Sequence, residues 1–157
     1  MNAKSFTKSD VDVLALNNQF CFALYSASLA LTKTYKPLLD KLGLTYPQYL
    51  VMLVLWEQND LLVKEIGSLL FLDSGTLTPL LKRLEAAGFI KRNRDASDER
   101  QVRITLTTQG KHIKKAAREV PLQIMCASGL QRDSVTGLRQ QLSALRDQLN
   151  EQLSRQE

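Results

Sequence analysis

The two cysteines, Cys21 and Cys126, have the widest chemical range of any residues in this chain. A thiolate is a nucleophile and a metal ligand, and oxidation converts it to a sulfenic acid or a disulfide. Because His112 is the single histidine and no cysteine or histidine ligands are clustered, a zinc site or a histidine-based catalytic triad has little support. We therefore expect no metal and no cofactor. For each thiol, an inert core position and an oxidisable position both stay open.

The compartment decides how these thiols behave. Residues 1–10 are polar and lack the apolar run of a signal peptide, and no window approaches the roughly 18 apolar residues of a membrane span. We expect a cytoplasmic protein that has no membrane partner. In a reducing cytosol, a permanent structural disulfide between Cys21 and Cys126 is not expected.

The positive charges are concentrated in one segment. The formal net charge of the chain is +5, and residues 82–103 hold seven cations against four anions. A cluster of this sign favours a polyanionic partner such as nucleic acid. The seven cations are Lys82, Arg83, Lys91, Arg92, Arg94, Arg100 and Arg103.

Residues 72–88 show two different faces when they are placed on a helix. Four leucines fall at the i, i+3, i+4 and i+7 spacing of a helix that docks on a core. The opposite face carries small and hydroxylated side chains first and cations later. Such side chains can approach DNA closely, bond base edges and neutralise phosphates, which is typical of a recognition helix. We assign DNA contacts on this helix to Ser74, Thr76, Thr78, Pro79, Lys82 and Arg83, with Arg83 on a base edge or a phosphate.

Pro79 conflicts with a simple helix at this place. If Asp73 or Ser74 caps the helix, Pro79 lies five or six residues inside it, where it removes a backbone hydrogen bond. Either the helix begins nearer Thr76 or its first turn is irregular.

Three earlier helices must position this one. Residues 12–42 are apolar enough for a helix that is buried on more than one side, and Pro37 kinks or divides it. Thr45 and Gln48 predict a capped start for a core helix over residues 46–58. A short amphipathic helix over residues 63–70 and a tight connection then complete a helix-turn-helix.

A wing follows the recognition helix. Gly88 ends that helix, residues 89–92 predict a strand, and residues 102–106 alternate as a partner strand with one buried face. The loop between them, residues 93–101, is charged and has no apolar anchor. Its arginines, Arg94 and Arg100, suit the narrow minor groove.

Two further helices complete the chain. Thr107 or Thr108 caps a helix to about Ala127, and Gly129 ends it. Residues 134–153 carry a leucine stripe that either closes the monomer core or forms a dimer interface with the N-terminal helix, and we favour the dimer. The predicted fold is mainly α (α+β), one domain over residues 1–157 with a winged helix-turn-helix at about 46–106 and dimerisation helices at about 12–42 and 108–155.

Several stretches resemble the MarR family of transcriptional regulators, and within it the organic hydroperoxide resistance regulators. The order of elements over nearly the whole chain is similar, and the specific matches are residues 20–26 (FCFALYS), 44–49 (LTYPQY), 71–85 (FLDSGTLTPLLKRLE) and 97–102 (SDERQV). The resemblance implies a homodimer that represses peroxide-defence genes from double-stranded operator DNA. It implies release of the DNA when an organic hydroperoxide oxidises the thiol at the position of Cys21.

The resemblance also implies roles for other residues. No cation lies within a helical turn of Cys21, so support for its thiolate must come from across space. The matching hydrogen-bond donors are Tyr35 and Tyr46, and the matching resolving thiol is Cys126 of the other subunit. In the family's manner, Arg100 is the minor-groove reader, held by Asp95 or Asp98.

Other functions stay open. If Cys126 does not resolve the oxidised Cys21, Cys126 is an inert thiol and Cys21 reacts with a small thiol instead. A thiol peroxidase would use both cysteines as an enzyme but leaves the wing and the basic helix without a function. A regulator of the same family that is gated by a small ligand would make both cysteines spectators.

Overall fold

The structure of the protein is a computed structural model that describes residues 12–155. The chain divides into two compact units, with the boundary between Ala117 and Arg118. Within residues 12–155, no helix is long and apolar enough to cross a membrane. In the same range, no three histidine, cysteine, aspartate or glutamate side chains come together as a candidate metal site.

The first helix, α1, is shorter than the sequence predicted. It spans Phe20–Asp40 and follows a single 3-10 turn at Leu16–Asn18. Residues 12–19 form a closed loop because side chains capture backbone groups: the Asp12 carboxylate accepts the backbone N–H of Leu14, and the Asn18 side chain donates to the Asp12 carbonyl. These bonds compete with a helix. Pro37 lies inside the continuous helix and does not divide it.

The burial predicted for α1 is not provided within the described part of a single chain. Within residues 20–40, all of which are described, Leu39 is the one buried residue. The side chains of Phe20 and Leu24 are 66% and 42% exposed. Within residues 12–155, the apolar side chains that line most of α1 are uncovered.

The helix-turn-helix is confirmed in its elements. Helix α2 spans Tyr46–Glu57, and the Gln48 side chain accepts the backbone N–H of Thr45 at 2.8 Å, as the capping pattern predicted. Strand β1 (Leu61–Leu62) precedes α3 (Val63–Leu70), and α4 spans Ser74–Ala86.

The wing is part of a three-stranded sheet rather than a two-stranded hairpin. Strands β2 (Ile90–Arg94) and β3 (Val102–Leu106) pair antiparallel as predicted, with Arg92 opposite Ile104. Strand β1 pairs with the other edge of β3, giving the order β1-β3-β2. The sequence missed β1 because two residues are too few to show an alternating pattern.

The core of the first unit lies where α2, α3 and α4 meet the inner face of the sheet. Its fully buried side chains come from these helices, from the end of α1 and from β2 and β3. They are Leu39, Val51, Met52, Leu55, Ile66, Leu77, Leu81, Leu84, Ile90 and Ile104.

The helix predicted from residue 108 to about Ala127 is three helices. Thr107 caps α5 (Thr108–His112) by accepting the N–H of Gly110, and α6 (Lys114–Ala117) and α7 (Glu119–Ser128) follow. Pro121 explains the break before α7. Its nitrogen has no hydrogen to donate to the carbonyl of Ala117, and a proline is tolerated in a helix only in the first turn. Gly129 ends α7 as predicted. Helix α8 spans Arg132–Ser154, and no residue of it, all of which is described, is buried.

Candidate nucleic-acid interface and thiol sites

The N-terminus of α4 is fixed by Asp73. Its carboxylate accepts the backbone N–H of Thr76 at 2.8 Å and the Thr76 hydroxyl at 3.1 Å. These bonds lower the pKa of Asp73, with the backbone N–H of Thr76 as the largest cause. The helix therefore begins at Ser74, which excludes the alternative of a start nearer Thr76. Pro79 lies inside the helix, where its missing N–H leaves the Gly75 carbonyl without the usual intrahelical donor.

The turn between α3 and α4 depends on a close approach. Phe71 adopts the left-handed region with φ 56°, and the Leu72 N–H returns to the Gly67 carbonyl at 2.9 Å. A Cβ on Gly67 would lie 2.7 Å from the Leu72 carbonyl oxygen, so a larger residue would push the turn away from α3. This turn sets the angle at which α4 leaves α3.

The two faces of α4 separate as the sequence predicted. The leucine stripe is buried, and its members are Leu77, Leu80, Leu81 and Leu84. The opposite face is open to solvent, with Thr78 half-buried and the other assigned residues exposed. Those exposed residues are Ser74, Thr76, Pro79, Lys82 and Arg83. The structure thus brings the assigned side chains of α4 onto one exposed surface.

The wing presents Arg94 and Arg100 on the same unit. Arg94 ends β2 and is exposed, and the Arg100 side chain is 91% exposed. Of the two carboxylates considered for Arg100, Asp98 holds it, with 3.0 Å between Nε and Oδ1. Bonds from Arg100 and Gln101 lower the pKa of Asp98. The Arg100 guanidinium therefore stays accessible while one carboxylate fixes its direction.

Asp95 has a different partner from the one the sequence proposed. It is buried, and its carboxylate binds the Arg103 guanidinium, with 2.5 Å between Oδ2 and Nε. The sequence analysis counted Arg103 among the clustered cations of residues 82–103 and missed this pair. The spacing of Asp95 and Ser97 is typical of a turn in which an aspartate accepts a backbone N–H two residues on, and that signal could have identified the loop's polar anchor.

Both thiols are accessible. Cys21 lies in the first turn of α1 and Cys126 near the end of α7, and both are exposed and free. The neighbours of Cys21 along α1 are apolar and exposed, including Phe20, Phe22 and Leu24. Tyr25, which the sequence reasoning did not use, lies one helical turn from Cys21 and shares its side of the helix.

The two tyrosines assigned to the thiolate form a cluster with a third. The ring centroids of Tyr35 and Tyr46 are 4.7 Å apart, and Tyr49 lies 6.0 Å from Tyr35. Burial raises the pKa of Tyr35 to about 12, and it also raises the pKa of Tyr46 and Tyr49. The phenols are therefore neutral at physiological pH and able to donate hydrogen bonds. The sequence reasoning missed Tyr49, whose apolar neighbours on α2 suggested only a core position.

Within one chain this cluster is far from Cys21. Cys21 and Tyr35 lie on the same continuous helix α1, and the fourteen positions between them correspond to about 21 Å at the helical rise. The Tyr46 ring packs against that of Tyr35 in a tilted arrangement, so Tyr46 is at the same end of α1. The structure therefore brings Tyr35 and Tyr46 together but does not bring them to Cys21 of the same subunit.

A cleft of about 330 Å³ lies beside the tyrosine cluster. Leu29 and Lys33 of α1 line one side, and Leu44 and Tyr46 line the other. Its size is at the lower end of the range for small-molecule sites.

The chain is similar to known regulators. Residues 33–117 match the family described as transcriptional regulator SarA/Rot. An organic hydroperoxide resistance transcriptional regulator of Bacillus subtilis is 52% identical over 134 residues, which cover 85% of this chain and 89% of that protein.

Solved structures of AbfR, a protein of Staphylococcus epidermidis, are also similar. Reduced AbfR bound to DNA is 42% identical with a TM-score of 0.72, and the match covers 85% of this chain and 94% of that one. Disulfide-formed AbfR is 42% identical with a TM-score of 0.62, and the match covers 83% and 91%. The relatives are thus transcriptional regulators, and one of them has been captured in both a DNA-bound and a disulfide form.

Proposed function

The chain belongs to the MarR-type winged-helix transcriptional regulators, in the branch of the organic hydroperoxide resistance regulators, and we propose that it represses transcription until a hydroperoxide oxidises Cys21. Like its relatives, it is a transcriptional regulator and not an enzyme. One observation carries the proposal: α1 holds an exposed thiol among apolar side chains that are exposed within residues 12–155.

The uncovered apolar surfaces support a homodimer. Helix α1 exposes Phe20, Leu24 and Leu31, and α8 exposes the leucine stripe that includes Leu138 and Leu149. Exposed apolar side chains at helical spacing, as each of these two helices carries, mark an interaction site. A second copy of the chain covers it in the proposed function, since a two-fold dimer matches the two half-sites of an operator.

The DNA contacts follow from the exposed faces of α4 and the wing. Helix α4 enters the major groove with Thr76, Thr78, Pro79 and Lys82, and Arg83 reaches a base edge or a phosphate. Ser74 approaches the backbone at the helix N-terminus. Arg94 and Arg100 enter the minor groove from the wing. The DNA-bound form of AbfR, at 42% identity, supports this assignment.

The sensing step begins with the Cys21 thiolate. Its sulfur attacks one oxygen of the hydroperoxide, so that a sulfur–oxygen bond forms and the oxygen–oxygen bond breaks. The sulfur takes the terminal OH and is oxidised to a sulfenic acid, and the alkoxide that leaves takes up one proton from solvent and becomes an alcohol. The exposed apolar side chains of Phe20, Phe22 and Leu24 favour an organic peroxide over hydrogen peroxide.

The thiolate receives its support from the other subunit. Because Tyr35 lies about 21 Å from Cys21 along the same helix, the donors are the partner subunit's Tyr35 and the partner subunit's Tyr46. A neutral phenol that donates to a thiolate favours the charged form of the sulfur. Both phenols are protonated at physiological pH, as an ordinary tyrosine is, and burial raises their pKa further.

Cys126 completes the switch. The thiolate of the partner subunit's Cys126 attacks the sulfenic sulfur of Cys21, so that a disulfide forms and hydroxide leaves as water. A disulfide requires the two Cα atoms to lie within about 7 Å, so its formation fixes α1 of one subunit against α7 of the other. The paired recognition helices then lose the spacing that the operator needs. The disulfide form of AbfR supports such a state.

A small-ligand-gated regulator is the second candidate, and the cleft beside Tyr46 favours it. In that case an apolar ligand in the cleft releases the DNA and both cysteines are spectators. Release of a Cys21→Ser, Cys126→Ser double variant by such a ligand, together with no response of wild type to hydroperoxide, would establish it.

The proposed function is tested with an operator duplex selected from a random library. Wild-type protein is titrated with one equivalent of cumene hydroperoxide while the anisotropy of the labelled duplex is followed. We expect release of the duplex, recovery on addition of a dithiol, and a covalent dimer on a non-reducing gel. The matched control is Cys126→Ser, in which the covalent dimer is absent. Wild type that keeps its duplex under these conditions would contradict the proposal.

A further inference from the structure

We propose that Arg103 is a positioning residue that holds the wing loop in its DNA-binding geometry by bridging Asp60 and Asp95, without contacting DNA itself. The inference rests on the proposed DNA binding and adds a residue to it. Its basis is that one guanidinium joins the loop at the wing tip to a turn on the opposite edge of the sheet.

The bridge has two ends. Arg103 Nε donates to Asp95 Oδ2 at 2.5 Å, and Nη1 donates to both the carbonyl and the carboxylate of Asp60, each at 3.0 Å. Arg103 lies in the middle strand β3, opposite Leu62 of β1 on one side and Asn93 of β2 on the other. A planar guanidinium with several donors can hold two carboxylates at once, which a lysine cannot do with the same geometry.

The first end organises the loop. Asp95 is buried, and its carboxylate also accepts the backbone N–H of Ser97 at 2.9 Å and that of Asp98 at 3.1 Å. The Ser97 hydroxyl donates to the same carboxylate. These bonds lower the pKa of Asp95. Because a buried carboxylate needs a charge partner as well as hydrogen bonds, the loop conformation depends on Arg103.

The second end is a fixed anchor. Asp60 adopts the left-handed region with φ 65°, directly before β1. The neighbouring Asn59 side chain accepts the backbone N–H of Leu106 at 2.9 Å, so this turn is tied to β3 a second time. The anchor therefore belongs to the same folded unit as α4.

The bridge reaches Arg100 through one further carboxylate. Asp98, whose N–H binds Asp95, accepts the Arg100 side chain, and the direction of Arg100 thus depends on Arg103 through two aspartates. Arg103 is paired at both ends, whereas the Arg100 side chain is 91% exposed. The two arginines therefore have different roles: Arg103 fixes the loop, and Arg100 is exposed for contact with the DNA groove.

The test combines operator affinity over a salt series with hydrogen exchange of the free protein. Arg103→Met should weaken binding about tenfold, because the loop must be ordered on binding. The slope of log K against log salt should be unchanged, because the complex regains the same phosphate contacts. Amides of residues 95–101 should exchange faster in the free variant. Arg100→Ala should instead flatten the slope by about one with unchanged exchange.

Two controls separate the outcomes. Lys111→Met removes the same charge from an exposed site on α5 and should leave affinity and exchange as in wild type. If Arg103→Met does not fold, Asp60→Asn removes the negative charge from one end of the bridge, while the backbone carbonyl stays, and should show the same pattern at a smaller size, about threefold.

Three results would overturn the inference. A slope that falls by about one in Arg103→Met, with unchanged loop exchange, would make Arg103 a phosphate contact. Unchanged operator affinity and unchanged amide exchange in both Arg103→Met and Asp60→Asn would show that the bridge has no role in DNA binding. Loop exchange that stays slow in both variants, whatever the affinity, would show that the loop does not need it. If wild type binds no duplex, the proposed function fails, yet the exchange arm still decides the role of Arg103.

Discussion

Helices α1 and α4 both carry apolar residues at helical spacing, but the chain buries only one of the two sets. Leu77 of α4 is 0% exposed, whereas Phe20 of α1 is 66% exposed. The apolar core of the DNA-binding unit is therefore formed within one chain, while the apolar side chains around Cys21 are exposed. A sensor whose parts come from two subunits can link oxidation at the thiol to the relative position of two recognition helices.

The largest effect on stability should come from α4, whose apolar residues are buried. Leu77→Ala removes a fully buried side chain and should lower the free energy of unfolding by about 3 kcal/mol at any protein concentration. The same change at Leu24 should have an effect that depends on protein concentration, because its partner atoms belong to a second subunit. Urea unfolding at two protein concentrations measures both effects, and a concentration-independent loss at Leu24 would show that Leu24 packs within its own chain.

The next effect tests whether α8 is also part of the dimer interface. Leu149→Lys places a charge on the exposed leucine stripe and should weaken dimerisation by about thirtyfold or more, because a buried leucine side chain contributes about 2 kcal/mol. Asn150→Lys, one residue on, is the matched control and should have little effect. Sedimentation equilibrium gives the dissociation constants, and equal dimers in both variants would remove α8 from the interface.

A smaller effect concerns the rate of oxidation. Tyr35→Phe removes a phenol donor and should slow the reaction of Cys21 with hydroperoxide about tenfold, because a hydrogen bond to a charged group is lost. Tyr49→Phe changes a buried member of the same cluster and should leave the rate nearly unchanged. The rates are measured by mass spectrometry of trapped sulfenic acid. Equal rates in wild type and Tyr35→Phe would contradict the role of this tyrosine.

The smallest effect is a loss of stability at alkaline pH. The folded pKa of Tyr35 is raised to about 12, so the native state keeps a proton that the unfolded chain loses near pH 10. Stability from this group is present below about pH 10 and is lost as pH rises towards 12. Tyr35→Phe should make the decline shallower in urea unfolding from pH 9 to 12. An equally steep decline would show that Tyr35 is not the group responsible.

The sequence predicted the recognition helix and the wing because both have strong local periodicity. The leucine stripe of α4 and the alternation in β3 each require only neighbouring residues to be recognised. Boundaries failed where side chains competed with the backbone, as Asp12 and Asn18 do before α1. The break before α7 was missed because Pro121 was not weighed as the source of a lost hydrogen bond.

The candidate site was predicted less completely, since its geometry depends on residues far apart in sequence. Arg103 and Asp60 are 43 positions apart, and no local pattern joins them. The pairing of Asp98 with Arg100 could be predicted as one of two alternatives, because the two residues are two positions apart. The distance between Cys21 and Tyr35 could be estimated only once α1 was known to be continuous through both residues.

The most direct test of the sensing role is operator binding by Cys21→Ser under organic hydroperoxide. The serine variant keeps the size of the side chain but cannot form a sulfenic acid. Its duplex is followed by anisotropy during a titration with cumene hydroperoxide, beside wild type at the same concentration. The variant should bind the operator and stay bound while wild type is released. Release of Cys21→Ser by the peroxide would contradict the assignment of Cys21 as the sensor.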